Sequence, residues 1–464
     1  MKTYLAMNVG ASVFALGLAS CGGGGTTGTA GASAEESGSN TDPSTTATTA
    51  TTAADTSGGS GSGSNSNSNS NSDTNSGTGS SSGVAEEEEG GGPKLDVGFL
   101  PDTPEAECGG QEGGGGGFGG GVELSYIWIS DTYQVPSSIS KINTVTMVEE
   151  GRYQAKPANG DASRTSVNLR GDVAVANRNG GVAKFYANVA DCVESNGTPG
   201  IQTSSGLNDV LAWDEEECRA WYTDFVCSSN RPVAWQRGEW DPATCQYVDM
   251  KLWTVCDNNT YLLNGDDGTI EQTVPVPGGG SAFVYGGAAD ADGNFWGLNL
   301  GNQQIYRVDH EDYTTVAYPL PPSGGYGITV DPEGRPWVSG GGTVSRFNLD
   351  DSTWTSSGGS GGIGGCMTDG VDTIWHDSGS GTLMGFDLES LAVVNSIPLP
   401  EYVHGVSVDF QGKVWGVSFA GNNAYRGDPD TGMVDTFPSL TQAYTYSDMT
   451  GFALSTAGGG QPPQ

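Results

Sequence analysis

A short turn-and-strand unit recurs four times in the C-terminal half of the chain, and it restricts the fold more than any other feature. Each copy has an aspartate six residues before a tryptophan, and three copies have glycine three residues before the tryptophan; the remaining copy has Asp372 there. An aspartate that hydrogen-bonds the backbone two residues on, followed by a glycine, closes a tight turn between antiparallel strands. Each copy therefore predicts a β-hairpin whose second strand begins at the tryptophan. The four pairs are Asp290 and Trp296, Asp331 and Trp337, Asp369 and Trp375, and Asp409 and Trp415.

Two more strand-like segments follow each tryptophan. The third strand has sequences such as Ile305–Asp309, and the fourth often ends on proline, as in Val316–Pro321 and Asn395–Pro400. Four short strands in roughly 40 residues are the pattern of one blade of a β-propeller. The same template, applied toward the N-terminus, adds three fainter blades, which contain Trp253, Asp172–Ala176 and Tyr126–Ile129. The sequence therefore predicts an all-β, seven-bladed propeller over residues 123–455.

The ring is expected to close through its last strand. The first blade lacks a candidate for its innermost strand, because nothing suitable precedes Glu123. The segment Asp448–Leu454 is a spare strand, and we expect it to complete the first blade and tie the chain termini together.

The interval between Ala174 and Trp253 is nearly two repeats long, so an eighth blade could lie there. We favour an insertion at about 188–230, because the Asp-x-x-Gly-x-x-Trp unit is absent and cysteines and acidic residues stand in its place. The acidic residues Asp209, Asp214 and Glu216 suggest calcium, but their spacing is not that of an EF-hand loop. We expect a solvated charge run instead.

Residues 1–20 have the features of a signal peptide, with Lys2 near the start and an apolar run from Val9 to Ala19. The run continues into Ser-Cys, and the sequence Leu-Ala-Ser-Cys resembles the lipobox of bacterial lipoproteins. That resemblance implies a lipid attached to Cys21, palmitate included; a plain secretory signal is the alternative. Gly22 in place of aspartate implies outer-membrane sorting if the host is Gram-negative.

Residues 21–122 and 456–464 are too poor in apolar side chains to form a core, so we expect a disordered, Gly/Ser-rich tether and a disordered tail. The chain contains 76 glycines, and only 35% of its residues are hydrophobic. Its formal net charge of -37 predicts an acidic surface that repels nucleic acid. Acyl chains on the N-terminal cysteine would be the only membrane anchor.

Eight cysteines suit an oxidising compartment. Cys192 with Cys218 would close the insertion, and Cys245 with Cys256 would join neighbouring strands of the third blade. No pair has the C-x-x-C spacing of a zinc site, so we predict no metal there.

The blade pattern, Asp-x-x-Gly-x-(Val/Phe)-Trp followed by Ile-Tyr-Arg-Val and Pro-Leu-Pro, resembles the streptogramin B lyase (virginiamycin B lyase) family of seven-bladed propellers. The resemblance covers about 123–454 and is faint in the second and third blades. It implies a C–O lyase that uses a divalent metal such as magnesium, with histidines and a glutamate near one mouth of the channel. The family's glutamate stands three residues after the blade tryptophan, and this chain has only three histidines. The corresponding positions here hold Asp131, Cys256, Asn299, Gly340, Ser378 and Ser418.

Candidate ligand-binding residues lie where the innermost strands begin and in the loops after the second strands. Tyr285, Tyr326, Gly364 and His404 begin inner strands. The loops after the second strands contribute Asn299, His376 and Ser418. These side chains could bind a sugar, a peptide or an aromatic ligand, or the tyrosines could simply fill the channel.

We therefore expect a lipid-anchored protein of the cell envelope, monomeric and without a cofactor, that presents the propeller to a small ligand or an envelope protein. The alternative is a lyase or a lactone hydrolase that uses the propeller mouth and magnesium, with His404 as a weak candidate for its base. A purely structural role in the envelope is a third possibility.

Overall fold

The computed structural model describes residues 125–279, 282–359 and 361–457, together with the backbone of a short antiparallel pair, β1 (Gly117–Phe118) and β2 (Val122–Glu123). Within 125–457 the chain forms seven blades, each a sheet of antiparallel strands, and contains almost no helix. The predicted seven-bladed propeller is confirmed. The predictions for the signal peptide, Cys21 and the tether lie outside the described residues.

Blades 1 to 3 contain the faint copies of the repeat. Blade 1 has three strands of its own, and blade 3 carries an extra hairpin between its first and second strands. The strands of blade 1 are β3 (Tyr126–Asp131), β4 (Ser138–Asn143) and β5 (Glu149–Gln154); those of blade 2 are β6 (Ala162–Val167), β7 (Val173–Asn177), β8 (Val182–Phe185) and β9 (Arg219–Thr223); those of blade 3 are β10 (Asn230–Trp235), β13 (Lys251–Cys256), β14 (Asn259–Asn264) and β15 (Ile270–Pro275), with β11 (Glu239–Asp241) and β12 (Gln246–Val248) as the extra hairpin.

Blades 4 to 7 contain the clear copies, and each has four strands in chain order from the innermost outward. In all four the turn after the first strand holds a glycine with positive φ: Gly293, Gly334 and Gly412 stand where the repeat predicts, and Gly370 of blade 6 stands two residues earlier in its turn. The strands are β16 (Val284–Ala289), β17 (Phe295–Asn299), β18 (Gln304–Val308) and β19 (Thr315–Pro319) in blade 4; β20 (Gly327–Val330), β21 (Pro336–Gly340), β22 (Thr343–Asn348) and β23 (Thr353–Ser356) in blade 5; β24 (Cys366–Thr368), β25 (Thr373–Asp377), β26 (Thr382–Asp387) and β27 (Val393–Pro398) in blade 6; and β28 (Val403–Val408), β29 (Val414–Ser418), β30 (Ala424–Gly427) and β31 (Val434–Phe437) in blade 7.

The core lies between adjacent blades, where the tryptophans are buried. Trp253 of blade 3 packs against Phe295 of blade 4 with 6.0 Å between ring centroids. The Trp253 indole also donates a hydrogen bond of 2.9 Å to the carbonyl of Gly293 in the turn of blade 4. Trp128 reaches from blade 1 to the carbonyl of Gly171 in blade 2 in the same way, at 3.2 Å. Trp128 and Trp253 thus bond the turn of the neighbouring sheet by a directed hydrogen bond, and Trp253 also packs on that sheet.

The C-terminal segment completes blade 1, as predicted, but it does so with a different stretch of chain. The backbone of Tyr444 donates to the carbonyl of Ser130 at 3.0 Å, and that of Trp128 donates to the carbonyl of Met449 at 2.9 Å. We call residues 442–449 the closing segment. The predicted strand Asp448–Leu454 is wrong beyond Met449, where the chain turns into the short helix α1 (Phe452–Thr456).

The side chain of Asp448 explains this turn. Its carboxylate accepts the backbone N–H of Gly451 at 2.8 Å and that of Leu454 at 3.0 Å. A carboxylate that receives these N–H groups favours a helix start over a continued strand. No helix in the described part of the chain has the length and apolarity needed to cross a membrane.

Residues 186–218 connect β8 to β9, and β9 lies inside the range predicted as an insertion. This connection contains a 3₁₀ turn at Val189–Asp191 and is closed by the predicted disulfide Cys192–Cys218. The predicted pair Cys245–Cys256 is wrong. Cys256 bonds Cys227 instead, because it ends β13, whereas Cys245 lies in the β11–β12 turn before β13 begins.

The acidic run in this connection is solvated only in part: Asp209 and Asp214 are exposed, as expected, but the run's last two residues are not. Glu216 and Glu217 are buried. Glu217 accepts the backbone N–H groups of Ser195, Asn196 and Gln202, and these bonds hold the pKa of its carboxyl below the usual value. The two glutamates therefore order the connection by satisfying its backbone donors.

Candidate ligand-binding mouth

The inner strands of four blades open with a register shift against the second strand, and the shifted residues carry large polar side chains. The shifts lie between Ala162 and Thr165 in blade 2, Asn230 and Val233 in blade 3, Val284 and Gly286 in blade 4, and Val403 and Gly405 in blade 7. Bulges of this kind re-aim a side chain, and here they turn it toward the channel. The residues so placed include Arg164, Arg231, Tyr285 and His404.

Four tyrosines fill the channel below this mouth. The hydroxyls of Tyr285, Tyr326 and Tyr444 form a triangle, with oxygen separations of 2.6 Å for Tyr285–Tyr326, 2.5 Å for Tyr285–Tyr444 and 2.6 Å for Tyr326–Tyr444. Tyr446 stacks on Tyr326, with 5.2 Å between ring centroids. We call this group the tyrosine floor.

Sequence reasoning identified Tyr285 and Tyr326 but missed Tyr444 and Tyr446. Both missed residues belong to the closing segment, outside the repeat that was used to align the blades. The alternation Tyr444-Thr-Tyr446, just before the expected closing strand, is a signal that could have found them, because alternate residues of an extended segment share one face.

His404 is 2% exposed and lies at the edge of the tyrosine floor. Its Nε2 is 3.0 Å from the Tyr326 hydroxyl, and its Nδ1 is 2.6 Å from the Tyr402 hydroxyl. Burial lowers the pKa of His404 to about 3, and the Arg164 charge acts in the same direction. The imidazole is therefore neutral at neutral pH.

The other three predicted site residues have local structural partners. His376 is fully buried and hydrogen-bonds the carbonyl of Gly365 through Nδ1 at 2.9 Å. The Asn299 side chain accepts the backbone N–H of Phe283 at 3.1 Å, and the Ser418 hydroxyl donates to the carbonyl of Asn423 at 2.9 Å. These residues shape the loops around the mouth and do not point freely into it.

Three arginines that sequence reasoning missed surround the tyrosine floor. Arg164 is 2% exposed; its guanidinium lies 3.0 Å from the ring centroid of Tyr446, and its Nη2 donates to the carbonyl of Tyr285 at 2.6 Å. Arg178 lies 4.5 Å over the ring of Tyr444, and Arg231 lies 4.8 Å over that of Tyr285. These arginines come from blades 2 and 3, where the repeat is too faint to align the inner strands.

Exposed aromatic side chains surround the mouth. Phe283, Tyr133 and Phe419 are 36%, 41% and 46% exposed. Phe419 lies 5.0 Å from His404 and 6.4 Å from Tyr133, and Phe283 lies 5.4 Å from Tyr285, measured between ring centroids. We call Tyr133, Phe283 and Phe419 the aromatic rim. Among the described residues they are the aromatic side chains with more than a third of their surface exposed.

The opposite end of the channel is narrow. A cavity of about 30 Å³ remains there, lined by inner-strand residues such as Trp235 and Ile328 and by Ala453 and Leu454 of α1. That volume is enough for about one water molecule.

The residues present do not fit the magnesium site implied by the lyase resemblance. Asp131, at a family glutamate position, is fully buried and accepts hydrogen bonds from Ser140 at 2.6 Å and from the backbone of Thr441 at 2.6 Å. Within the described ranges, no group of three or more His, Cys, Asp or Glu side chains is placed to hold a metal ion.

No protein-family model matches the sequence, and no curated protein matches it. A virginiamycin B lyase from Staphylococcus aureus is 21% identical, with a TM-score of 0.38, over 43% of this chain and 72% of that chain. A streptogramin B lyase structure is 22% identical, with a TM-score of 0.37, over 41% of this chain and 66% of that one. A β-propeller domain from Myceliophteria thermophila is 12% identical, with a TM-score of 0.45, over 61% and 88% of the two chains. Solved structures similar to this seven-bladed chain thus include streptogramin B lyases and another β-propeller.

Proposed function

We propose that the protein is a non-catalytic binding protein of the cell envelope whose propeller mouth holds a small ligand with an aromatic or apolar ring. The observation that carries this proposal is the aromatic rim. In the described part of the chain, the three well-exposed aromatic side chains all stand at one mouth, although a chain of net charge -37 offers a large acidic surface elsewhere. Exposed aromatic side chains grouped at a concave site favour ligand binding.

The tyrosine floor supports the proposal, because it gives the rim a rigid base. Tyr285 and Tyr444 are buried, and their hydroxyls are satisfied by each other and by Tyr326. A ligand on the rim need not displace them. The tyrosine floor thus fills the channel, and the aromatic rim above it offers stacking surfaces. Tyrosines that fill the channel are therefore compatible with a ligand bound at the mouth.

The chemistry of His404 favours binding over catalysis. A general base works best when its pKa is near the working pH, whereas the pKa of His404 is lowered to about 3. Its Nδ1 partner is the Tyr402 hydroxyl and not a carboxylate that would stabilise an imidazolium. We therefore propose that His404 is a neutral hydrogen-bonding group beneath the ligand.

The envelope location is part of the same proposal. The lipobox-like sequence before Cys21 would supply the acyl anchor, and residues 21–122 would hold the propeller away from the membrane. The disulfides Cys192–Cys218 and Cys227–Cys256 support export to an oxidising compartment. Labelling cells with a palmitate analogue tests the anchor: the wild type should carry the label, and Cys21→Ser should not.

Ligand binding is tested with the purified full-length chain and neutral aromatic probes such as phenylacetamide, by saturation-transfer NMR and calorimetry. We expect binding that Phe419→Ala weakens about tenfold, because stacking area is lost. Trp354→Ala, which removes a partly exposed aromatic side chain from β23, is the matched control and should bind as the wild type does. Equal binding by the two variants would contradict the proposal.

A second assay addresses the lyase alternative. The chain is incubated with magnesium and a panel of cyclic depsipeptides and lactones, and products are sought by mass spectrometry. Turnover that disappears in His404→Ala would overturn the non-catalytic proposal. Unchanged substrates in the presence of aromatic-probe binding would support it.

A further inference from the structure

We infer that the ligand of the mouth is a small monoanion, an aromatic carboxylate, and that Arg231 binds its carboxylate. This inference rests on the proposed function and names the ligand class of the same site. The chain is strongly acidic, yet this arginine has no acidic partner among the described residues. The chain has 55 acidic and 18 basic residues, yet in the described ranges no ion pair involves Arg231.

The guanidinium of Arg231 packs over two aromatic rings, but two of its nitrogens lack a hydrogen-bond partner in the described structure. It lies 4.8 Å over the ring of Tyr285 and 5.4 Å over that of Phe283. Its Nε and Nη1 are buried, and no hydrogen-bond partner meets them in the described structure. A guanidinium has five N–H donors in a fixed fork, and leaving them unpaired away from water is costly. An acceptor delivered by a ligand would remove that cost.

The neighbouring arginines do not offer the same opportunity. Arg164 is sealed beneath Tyr446 and donates to the backbone carbonyls of Tyr285 and Tyr446. Arg178 is paired with Asp161 at 2.8 Å. Both add positive potential at the mouth, and each has an Nε without a hydrogen-bond partner in the described structure; Arg178 also lies 5.5 Å over the ring of Tyr133. Arg231 differs from Arg164 in being partly exposed, and from Arg178 in having no ion pair within the described ranges.

The backbone of blade 3 explains why Arg231 faces the mouth. The register shift between Asn230 and Val233 places Arg231 and Pro232 outside the regular pairing of β10 with β13. The backbone N–H of Asn230 also donates to the carbonyl of Arg178 at 3.4 Å, so the two arginines stand side by side at adjacent blades. The arrangement directs positive charge into an opening on an acidic protein.

Charge and shape together select the ligand class. The acidic surface repels polyanions, which favours a small molecule with a single negative charge. The planar fork of an arginine matches the two oxygens of a carboxylate. Phe283, 36% exposed beside the guanidinium, provides a stacking face for the ring that bears the carboxylate. An aromatic acid satisfies both groups at once.

The test compares phenylacetate with its neutral analogue phenylacetamide by calorimetry on the full-length chain. We expect the acid to bind about tenfold more tightly, with an affinity that falls as salt rises. Arg231→Gln should lower binding of the acid to the level of the amide and so abolish this preference. Arg307→Gln removes an arginine from the outer part of blade 4 and should keep the preference. Thermal unfolding checks that Arg231→Gln is folded, which is expected because the described part of the structure shows no hydrogen bond to Nε or Nη1 that the substitution would break.

A peptide ending in phenylalanine, with a free or an amidated C-terminus, repeats the comparison. Preference for the free terminus would assign the site to peptide ends, and preference for phenylacetate alone would assign it to small aromatic acids; both support the carboxylate. Equal binding of acid and amide, still dependent on Phe419, would overturn the inference and leave the proposed function standing. If neither phenylacetate nor phenylacetamide bound, both the inference and the proposed function would be overturned. Tighter binding of phenyl phosphate than of phenylacetate, or an acid preference that survives Arg231→Gln, would overturn the assignment.

Discussion

The carboxylate of Asp409 accepts the indole N–H of Trp415 at 2.7 Å. Its other oxygen accepts the backbone N–H groups of Gln411 and Lys413, both at 2.9 Å, so one side chain closes the turn and orients the tryptophan of the blade. Asp331 holds Trp337 in the same way at 2.8 Å. The aspartate and tryptophan of the repeat are therefore one interacting pair in blades 4, 5 and 7.

Asp409→Ala should lower the free energy of unfolding by about 1–3 kcal/mol, because the buried indole N–H of Trp415 loses its acceptor. The measurement is denaturant unfolding of the purified chain. A double-mutant cycle with Trp415→Phe isolates the pair, since phenylalanine has no N–H to satisfy. Additive effects of the two substitutions would contradict the proposed coupling.

Tyr326→Phe should destabilise the protein by about 1–2 kcal/mol, because its hydroxyl contacts Tyr285, Tyr444 and His404 at once. Tyr306→Phe is the control: that buried hydroxyl contacts Thr260 alone, at 2.9 Å, and its loss should cost less. Denaturant unfolding compares the two variants. A larger loss of unfolding free energy in Tyr306→Phe than in Tyr326→Phe would contradict this structural role of the tyrosine floor.

Acid should weaken the fold through His404. The pKa of this histidine is lowered to about 3 in the folded protein, against about 6.5 in an unfolded chain, so unfolding takes up a proton between these values. Its contribution to stability is fully present above about pH 6.5 and is lost as the pH falls toward 3. Melting temperatures measured over this window should fall less steeply in His404→Gln than in the wild type. Parallel curves of melting temperature against pH for the two proteins would refute the expectation.

Asp131 should act with the opposite sign. Burial raises the pKa of its carboxyl to about 6, although Arg152 and the hydrogen bonds from Ser140 and Thr441 oppose the rise. Because the folded state holds this proton more tightly than the unfolded chain, the contribution is largest at low pH and declines as the pH rises from about 4 to 6. Asp131→Asn should therefore gain stability relative to the wild type across that window, as judged by thermal unfolding. A constant difference at all pH values would exclude this role.

The fold was accessible to sequence reasoning because its signal is local. The turn aspartate, the glycine with positive φ at Gly412 and the tryptophan lie within seven residues of one another, and the repeat made the blade count visible. The same alignment placed Tyr285, Tyr326 and His404 at inner-strand starts, and the structure brings these three side chains together.

The rest depends on contacts between distant parts of the chain. Arg231 belongs to a blade whose repeat is faint, and its position follows from a register shift that no local pattern announces. The partner of Cys256 depended on the path of a hairpin inserted before β13. The end of the closing segment depended on Asp448, whose side chain bonds the backbone of α1. The β-strand propensities of the residues do not specify such pairings.

The closing segment, residues 442–449, has two structural roles that depend on the same docked position. Through Ser130 and Trp128 it completes the first sheet, and through Tyr444 it supplies a third of the hydroxyl triangle under the mouth. A chain cut before residue 442 would lose both the pairing with β3 and one hydroxyl of the tyrosine floor. Under the proposed function, a ligand that binds only the closed ring would therefore stabilise the docked closing segment by its own binding free energy.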